Sequence, residues 1–327
     1  MEGYRESEIV HVVIGGGSGF IGTALTQALR ARGDEVTIIS RQAGENRITW
    51  DQVEAGDLPA CDAVVNLAGK HILDVSRRWT AQYRDEVIAS RVETTKALVT
   101  ALNDMPVPPA VFVSTAGKCF YGTGEIGRVK TYPELTEDSE PMGIDFPAEL
   151  VGLWEQAAEG IDSSRIRHAR VRIGVVLGAV EPKSYLRKLW RIGRARGFLP
   201  IIRLPFCIGL GATIGHGNQP FPWIHIDDMV GILLHVIDGA ELNSRYNAVA
   251  PGIVSNRVFT EAFGRHLSRP IIWSIPIWLV KLCVGSERAS ILLEGQNVKP
   301  KRTLESGYRF KYPEIDPALD DLVKITI

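Results

Sequence analysis

The sequence predicts an α/β protein in which helices cover both faces of a parallel β-sheet. Short β-branched runs alternate with segments of helical spacing through the first half of the chain, which is typical of such a sheet. Of the 327 residues, 45% are hydrophobic and 23% are charged, a balance that suits a folded globular protein. The length is sufficient for one large α/β domain with a smaller lobe.

The individual elements follow from the hydrophobic pattern. Continuous apolar runs predict buried strands at 9–14, 35–39, 63–67, 111–114 and 169–177. Apolar residues three and four positions apart predict helices at 19–32, 80–102 and 150–159. After about residue 178 the alternation ends, and a basic segment and a Gly/Pro-rich loop follow. We therefore expect one domain over 1–178 and an interleaved lobe over 179–327.

A glycine-rich turn joins the first predicted strand to the first predicted helix. Its residues fit two registers of a dinucleotide-binding fingerprint, one with Gly17, Gly19 and Gly22 and one with Gly16, Gly19 and Gly22. Glycine permits the tight turn and close approach to a pyrophosphate, which the N–H groups at the helix start then bind. The alternative is a glycine turn that binds no ligand. The order of strand, turn and helix favours a Rossmann-like, doubly wound sheet.

The end of the second strand indicates which dinucleotide binds. NAD sites place an acidic residue there for the ribose 2′-hydroxyl, whereas this chain has Ser40 and Arg41. A guanidinium pairs with a 2′-phosphate through charge-assisted hydrogen bonds, so the sequence favours NADP(H) over NAD. The alternative for Arg41 is an ordinary surface arginine. The third strand ends in Asn66, Leu67, Ala68 and Gly69. Small residues at this position allow the chain to pass beneath the adenine or ribose of a bound nucleotide.

These motifs resemble the extended branch of the short-chain dehydrogenase/reductase superfamily. The similarity is greatest to an atypical subgroup, the epimerase family proteins of the SDR39U1 type. It rests on residues 15–31, 47–51, 61–69, 91–95, 171–178, 204–211, 221–225 and 291–298.

The resemblance implies a Rossmann-like NADP(H)-binding domain over 1–178, with a small mixed α/β substrate lobe and a family-specific C-terminal segment over 179–327. It also implies cofactor contacts at positions that match the subgroup's motifs. These are Gly16, Ser18, Gly19, Phe20, Ile21 and Gly22 in the turn, Ser40, Arg41, Asn66, Leu67, Ala68 and Gly69 at the strand ends, and Glu86 and Arg91 on the long helix. For Glu86 and Arg91 the alternative is a solvated helix face.

The catalytic pair of the superfamily is absent from its expected helix. Hydride transfer there uses a tyrosine acid/base whose pKa is lowered by a lysine four residues later. Phe146 and Leu150 stand at these two positions, and neither transfers a proton. Tyr121 and Thr115 are the candidate substitutes, with Tyr83 and Lys118 as weaker ones. The alternative for Tyr121 is a packed aromatic residue.

Two further residues are candidates for contact with substrate. Arg172 lies near the carboxyl end of a predicted strand, where open α/β sheets bind ligands, and its alternative is a structural ion pair. His225 and Asp227 share a face if they lie on a strand, and their alternative is a hydrogen-bonded structural pair. We expect no metal site, because no third ligand has suitable spacing.

The charge of the chain limits the classes of partner that we expect. The net charge is −1, so we do not expect a nucleic-acid partner. Yet seven basic and no acidic residues lie between 183 and 203, a basic strip suited to an acidic partner or membrane surface, with a solvated insertion as the alternative. We expect no membrane span. Widely spaced cysteines and the lack of a signal or transit peptide favour the cytoplasm.

Two functions remain open at this point. The first is an NADP(H)-dependent oxidoreductase or epimerase-like enzyme acting on an unknown small molecule. The second is a non-catalytic NADP(H)-binding regulatory or interaction protein, because Phe146 and Leu150 replace the tyrosine and lysine. For this second function, the resemblance to bacterial and plastid relatives implies a link to cell division.

Overall fold

The structure is a computed structural model that describes residues 10–74, 77–122, 125–126, 129–130, 132–141, 145–178, 197–239, 242 and 244–324. Most of the basic strip therefore lies outside the described residues, and only 197–203 of it are described. In chain order, the strands are β1 (His11–Gly15), β2 (Glu35–Ser40), β3 (Arg47–Thr49), β4 (Ala63–Asn66), β5 (Val111–Gly117), β6 (Glu125–Ile126), β7 (Val129–Lys130), β8 (Glu134–Leu135), β9 (Arg167–Ile173), β10 (Val175–Leu177), β11 (Ala212–Ile214), β12 (Pro220–Phe221), β13 (Trp223–His225), β14 (Arg245–Ala248), β15 (Val254–Ser255), β16 (Trp273–Ile275) and β17 (Asn297–Val298).

Helices connect most of these strands. They are α1 (Phe20–Arg32), α2 (Trp50–Glu54), α3 (Ala81–Asp104), α4 (Phe146–Ala158), α5 (Phe198–Cys207), α6 (Ile226–Asp238), α7 (Asn256–His266), α8 (Ile277–Val284), α9 (Ser286–Leu293), α10 (Lys301–Glu305) and α11 (Ile315–Lys324). Within the described ranges, none of them is both long and apolar enough to cross a membrane.

A seven-stranded sheet with the order β14-β9-β5-β4-β1-β2-β3 forms the centre of the molecule, and all its neighbouring strands are parallel. On one face, Leu25 and Leu29 of α1 pack with Met229 and Leu233 of α6. On the other face, Leu98 of α3 belongs to a second buried cluster. The predicted α/β class with a parallel sheet covered on both faces is confirmed.

The second half of the chain contributes to this sheet and also builds a smaller core. Helix α6 packs on one face of the central sheet, and β14 forms one edge of that sheet. Both therefore belong to the same unit as β1. A separate cluster joins Phe206 of α5, Phe263 of α7 and Leu319 of α11. The smaller core therefore lies beyond the carboxyl end of β9. It is next to the glycine-rich turn between β1 and α1, which the sequence predicts to bind a ligand.

Two predicted elements are wrong in detail. The strand expected over 169–177 is two strands, because the chain turns at Gly174, where a Cβ would lie 2.7 Å from the Pro222 carbonyl oxygen. Beyond that turn, β10 pairs with β13 instead of continuing in the central sheet. The helix expected over 150–159 begins four residues earlier, because Asp145 caps it by accepting a hydrogen bond from the Ala148 N–H at 2.8 Å.

Candidate cofactor site

The turn after β1 has the geometry of a phosphate-binding loop. Gly16 has a φ of +74°, in the left-handed region that favours glycine. Its carbonyl oxygen accepts a hydrogen bond from the Gly19 N–H at 2.8 Å, and α1 starts directly after Gly19. The positive φ falls on Gly16, so the structure favours the register of Gly16, Gly19 and Gly22.

Close packing at Gly22 fixes the angle between the turn and α1. A Cβ at Gly22 would lie 2.5 Å from the Gly16 carbonyl oxygen and 2.6 Å from the Gly17 Cα, which only glycine avoids. Ser18 and Gly19 are exposed at the tip, with Phe20 and Ile21 half-buried behind them. The exposed backbone at the start of α1 is thus available to an anion.

The strand ends beside the turn hold the nucleotide-lining residues predicted from sequence. Asn66 is buried, and its side-chain oxygen accepts from the Ala68 N–H at 3.1 Å while its amide donates to the Thr95 hydroxyl at 2.9 Å. The Leu67 N–H donates to the Gly15 carbonyl at 2.8 Å. These bonds hold the backbone of 66–68 against Gly16, where a side chain would lie 2.8 Å from the Leu67 carbonyl.

Ser40 and Arg41 lie at the carboxyl end of β2, next to β1. The Ser40 hydroxyl donates to the Gln42 carbonyl oxygen at 2.6 Å, which turns the chain after the strand. Arg41 is exposed, and no hydrogen bond or ion pair described for the chain engages its guanidinium. The guanidinium is therefore available to a ligand at this edge of the sheet.

Arg91 of α3 is a half-buried cation without a carboxylate partner among the described residues. Its guanidinium lies 3.0–3.2 Å from the position of a Cβ on Gly69, and 5.2 Å from the centre of the Trp154 ring. Its described hydrogen bonds go to the Val87 carbonyl at 3.1 Å and the Ser90 hydroxyl at 3.4 Å. Burial lowers the pKa of Arg91 to about 10, because no anion compensates the lost solvation.

Glu86 lies one turn before Arg91 and is half-exposed. It forms ion pairs with Lys70 and, at 3.3 Å, with Arg77. The hydrogen bond from Lys70 lowers the pKa of Glu86, so it is charged at neutral pH. Glu86 therefore holds the loop that follows Gly69 against α3.

The hydroxyl groups of β5 are used inside the sheet. Thr115 donates to the Asn66 carbonyl oxygen at 2.6 Å, and both residues are buried. The Ser114 hydroxyl lies 2.8 Å from His168 Nε2, and burial lowers the pKa of His168 to about 3. The geometry thus gives Thr115 a structural bond to the last residue of β4, and its catalytic role stays a prediction.

Tyr121 and Arg172, predicted to face the nicotinamide and the substrate, belong to one buried network. Tyr121 is 0% exposed, and its hydroxyl donates to Asn247 at 2.8 Å and accepts from Arg172 at 3.0 Å. Arg172 is 1% exposed and pairs with Glu155 through two bonds of 2.7 and 2.9 Å. Burial raises the pKa of Tyr121. Both side chains match their structural alternatives, because each has its polar groups paired inside the protein.

His225 ends β13 and caps α6, so the expected strand through His225 and Asp227 is wrong. The His225 Nδ1 accepts from the Asp227 N–H at 3.0 Å, and its Nε2 lies 3.4 Å from an Asp321 oxygen without a hydrogen bond. The centre of its ring lies 3.9 Å from the centre of the Tyr312 ring, and the two planes are tilted by 35°. Burial lowers the pKa of His225, although Asp227 and Asp321 oppose the shift. This geometry corresponds to the structural alternative.

Apolar packing occupies the two positions of the missing tyrosine and lysine. Phe146 and Leu150 are buried with Tyr83 and Val87 of α3. The Phe146 ring lies 5.1 Å from the Trp79 ring, and the Arg84 guanidinium lies 4.5 Å from the centre of the Phe146 ring. The helix thus contributes no proton carrier at either position.

Lys118 is one of the weaker catalytic candidates from the sequence, and its surroundings in the structure differ from those of the other candidates. Lys118 follows β5 at the carboxyl edge of the sheet, is buried, and donates to the side-chain oxygen of Gln296. Gln296 in turn donates to the Gly122 carbonyl at 2.7 Å. No carboxylate pairs with Lys118 among the described residues. The contact spans 178 residues of sequence, so no local signal predicts it.

Arg288, which sequence reasoning also missed, ties the C-terminal segment to the loop before α3. It is buried and donates to the carbonyls of Val284, Asp74 and Arg77 at 2.7, 2.8 and 3.2 Å. Its guanidinium also lies 5.1 Å from the centre of the Trp79 ring. These contacts hold the loop that follows Leu67 and Ala68 against the C-terminal segment.

Two further features of the described residues bear on other candidate sites, namely their capacity to hold a metal ion and a surface groove. No group of three or more His, Cys, Asp or Glu side chains there has the geometry to hold a metal ion. A groove of about 550 Å³ lies between α2 and the end of α3, lined by Val53, Leu58, Ala97 and Met105 among others. None of the predicted site residues lines this groove, so the candidate site stays at the carboxyl edge of the sheet.

The sheet order, the glycine turn and the loop after β4 define a Rossmann-type dinucleotide-binding protein. Two family models match the chain: the NAD dependent epimerase/dehydratase family over residues 12–143, and a domain of unknown function, DUF1731, over residues 275–322. Epimerase family protein SDR39U1 of Bos taurus is 44% identical over 96% of this chain and all of its own length. The chain therefore belongs to the SDR39U1 epimerase family, and the resemblance predicted from sequence is confirmed.

Solved structures and a plant relative extend the comparison. The crystal structure of human SDR39U1 (isoform 2) with NADPH is 42% identical, covers 96% of this chain and 99% of its own, and has a TM-score of 0.87. The SDR39U1 homologue of Arabidopsis thaliana, described as chloroplastic, is 31% identical over 96% of this chain and 87% of its own length.

Proposed function

We propose that this protein is an NADP(H)-dependent oxidoreductase of the epimerase family that acts on a small molecule. The division into a cofactor-binding part over 1–178 and a substrate part over 179–327 belongs to the proposal. Its main support is a cluster of anion-binding groups at one sheet edge: the backbone at the start of α1, the exposed Arg41, and Arg91, which has no carboxylate partner among the described residues. An NADPH-bound relative of 42% identity supports the same cofactor.

The residues present fit a dinucleotide. Gly16 and Gly22 leave no room for a Cβ because each packs against the chain itself, which keeps the turn tight and α1 close to β1. Arg41, at the end of β2, is the group for a 2′-phosphate, and Ser40 shapes the turn beside it. Arg91 supplies a second cation beside Gly69, on the nucleotide side of the loop. Leu67 and Ala68 line the nucleotide, and Glu86 holds that loop.

The bound cofactor supplies hydride, and the protein must supply a proton carrier near the carboxyl ends of β5 and β9. Tyr121 and Thr115 enter the proposal as positioning residues, because their hydroxyls are bonded inside the protein. Lys118 is the stronger candidate, since its ammonium is buried at this edge and has a neutral amide as its described partner. Arg172 and His225 position the elements that surround the site.

One observation favours a second candidate function, a non-catalytic NADP(H)-binding regulatory protein. Phe146 and Leu150 fill the usual catalytic positions with packed apolar side chains. A protein that binds NADPH firmly and turns over none of a broad set of carbonyl and alcohol compounds would support this second function. Oxidation of NADPH with any one compound would rule it out.

Fluorescence titration with NADPH and NADH tests the cofactor assignment. Arg41→Asp should weaken NADPH binding about 10- to 100-fold and spare NADH, because a hydrogen bond to a charged group contributes about 1.5–3 kcal/mol. Arg91→Met should weaken both. Arg30→Asp, the same charge change on the exposed side of α1, is the control and should change neither. Equal losses of NADPH and NADH in Arg41→Asp would refute the 2′-phosphate assignment.

The proton carrier is tested with any compound that supports turnover. Lys118→Met should abolish turnover while the NADPH affinity stays within about twofold. Tyr121→Phe should retain turnover, with reduced stability. The opposite pattern would assign the proton to Tyr121 and overturn the choice of Lys118.

A cytoplasmic location belongs to the proposal as well. All four cysteines are free thiols, which suits a reducing compartment. One relative is described as chloroplastic, so fractionation of the source cells, with markers for cytosol and organelles, decides the location.

A further inference from the structure

Large apolar side chains are exposed on one part of the C-terminal lobe. Of the twelve exposed large hydrophobic residues in the described part of the chain, eight fall in residues 201–210 and 272–282. They include Trp273, Trp278 and Leu282, which are 61%, 66% and 74% exposed. We call the exposed side chains of these two stretches the C-terminal apolar face. Single exposed apolar residues are ordinary, but a concentration of them marks an interaction site.

The two stretches are neighbours in the structure. Strand β11, which follows the first stretch, pairs in parallel with β16 of the second, with Ala212 opposite Trp273. Arg269 donates to the Cys207 carbonyl oxygen at 2.8 Å, which joins the end of α5 to the segment before β16. Helix α8 follows β16 directly. Trp278 and Leu282, four residues apart, share the exposed side of α8, while Val280 and Val284 pack inward.

The same part of the chain is free of acidic residues. Residues 197–226 and 262–286 contain no Asp or Glu, and together they contain four Lys or Arg. In contrast, the whole chain has a net charge of −1. Arg269 and Lys281 are exposed beside the apolar side chains. The C-terminal apolar face therefore combines exposed tryptophan, leucine and isoleucine with two exposed cations, Arg269 and Lys281.

We propose that the C-terminal apolar face binds the surface of an anionic phospholipid bilayer. Tryptophan is enriched where protein meets the interface between headgroups and acyl chains, because its ring has an apolar body and a polar N–H. Helices with lysine or arginine beside tryptophan and leucine lie in that interface, attracted by anionic lipid. Helix α8, with Trp278, Lys281 and Leu282, has this composition, and β16 adds Trp273.

Charge argues against a second copy of the chain as the occupant. A two-fold interface brings the same surface of both subunits together, so the exposed Arg269 and Lys281 would lie near their own copies. An anionic bilayer complements these charges and accepts the apolar side chains. The interface binding is independent of the cofactor assignment, since none of the proposed cofactor residues lies on this face.

Flotation of the full chain with lipid vesicles tests the proposal. We expect binding to vesicles of phosphatidylcholine mixed with phosphatidylglycerol, weak binding to phosphatidylcholine alone, and loss of binding as salt rises. The double variant Trp273→Ser, Trp278→Ser should bind at least about tenfold more weakly, because two indole rings no longer enter the interface. Lys281→Glu should also bind more weakly.

Matched controls distinguish binding through this face from nonspecific binding of exposed apolar side chains to lipid. The double variant Val107→Ser, Leu153→Ser removes two exposed apolar side chains elsewhere and should bind vesicles like the parent. Each variant should keep the parent's unfolding midpoint, since the replaced side chains are exposed. Equal binding to neutral and anionic vesicles, or unchanged binding by the tryptophan variant, would overturn the proposal. So would a concentration-dependent dimer that the tryptophan variant abolishes without any vesicle binding.

Discussion

At the scale of single residues, the buried pair of Arg172 and Glu155 stabilises the carboxyl edge of β9. The guanidinium is bonded twice to one carboxylate and once to Tyr121, so all its charge is compensated inside the protein. Glu155→Gln leaves the cation buried without its counter-charge. We expect the free energy of unfolding to fall by about 3–5 kcal/mol, measured by urea denaturation. Glu159→Gln, on the same helix but more exposed, should cost under about 1 kcal/mol; equal losses would contradict the account.

His168 makes stability depend on pH. Burial lowers its pKa to about 3 in the folded protein, whereas an unfolded histidine titrates near its ordinary value of 6.5. Below pH 6.5 the unfolded state therefore binds a proton that the folded state does not. We expect this residue to lower the stability by about 1.4 kcal/mol for each pH unit between 6.5 and 3.

Unfolding curves at several pH values measure this slope. His168→Gln should reduce the slope of the free energy of unfolding against pH by the contribution of about one proton. The variant should also be less stable than the parent at neutral pH, because Ser114 loses its partner. His216→Gln, at an exposed loop position, serves as the control and should leave the slope unchanged. A parallel slope in His168→Gln and the parent would show that His168 does not titrate as described.

The residue scale also shows why the sequence predicted some site residues and not others. The placement of Gly16, Gly22 and Arg41 was predictable because it depends on backbone conformation or on position after a strand, which local sequence encodes. Tyr121 was ambiguous because its partners, Asn247 and Arg172, lie 126 and 51 residues away. Without those partners, a buried network and an active-site tyrosine have the same local sequence.

At the scale of elements, Arg288 couples α9 to the loop between β4 and α3. Three carbonyl oxygens accept hydrogen bonds from one buried guanidinium, two of them from that loop. The residue lies within the segment matched by the family model of unknown function. One role of that segment is therefore to hold the loop that follows Leu67 and Ala68.

Arg288→Met should release this loop. Hydrogen bonds to a charged donor contribute about 1.5–3 kcal/mol each, so we expect amide exchange of 70–80 to accelerate at least tenfold in hydrogen–deuterium exchange. NADPH should also dissociate faster if the loop covers the cofactor. Arg265→Met removes an exposed arginine of α7 that pairs with Asp316, and is the control. Unchanged exchange in Arg288→Met would show that the loop is held by other contacts, such as Tyr83 to the His71 carbonyl.

Element boundaries were less predictable than the elements themselves. The apolar run over 169–177 predicts one strand, because hydrophobic periodicity does not report a turn made by tertiary contact. The turn at Gly174 depends on Pro222 and Val249, which are distant in sequence. The apolar spacing over 150–159 does not report the first turn of α4, which begins at Phe146 and contains Pro147, a residue well placed in the first turn of a helix.

At the scale of the whole molecule, the two halves of the chain share one core. Helix α6 buries six apolar side chains in the core that it shares with the central sheet and α1, and five of them are at most 7% exposed: Met229, Ile232, Leu233, Val236 and Ile237. Each fully buried side chain of this kind contributes about 1.5–3 kcal/mol. Their sum matches the entire stability of an ordinary domain, about 5–15 kcal/mol. The cofactor part therefore depends on residues that follow 178.

The fragment 1–178 should accordingly fail to fold when expressed alone. Without α6 it exposes Leu25, Leu29 and the strand face beneath them, and β9 loses its edge partner β14. We expect it to bind a hydrophobic dye, to lack a cooperative unfolding transition and to bind no NADPH. Co-expression with the fragment 179–327 should restore cooperative unfolding, because α6 and β14 can then dock. Cooperative unfolding and NADPH binding by 1–178 alone would contradict a shared core and would place a true domain boundary at residue 178.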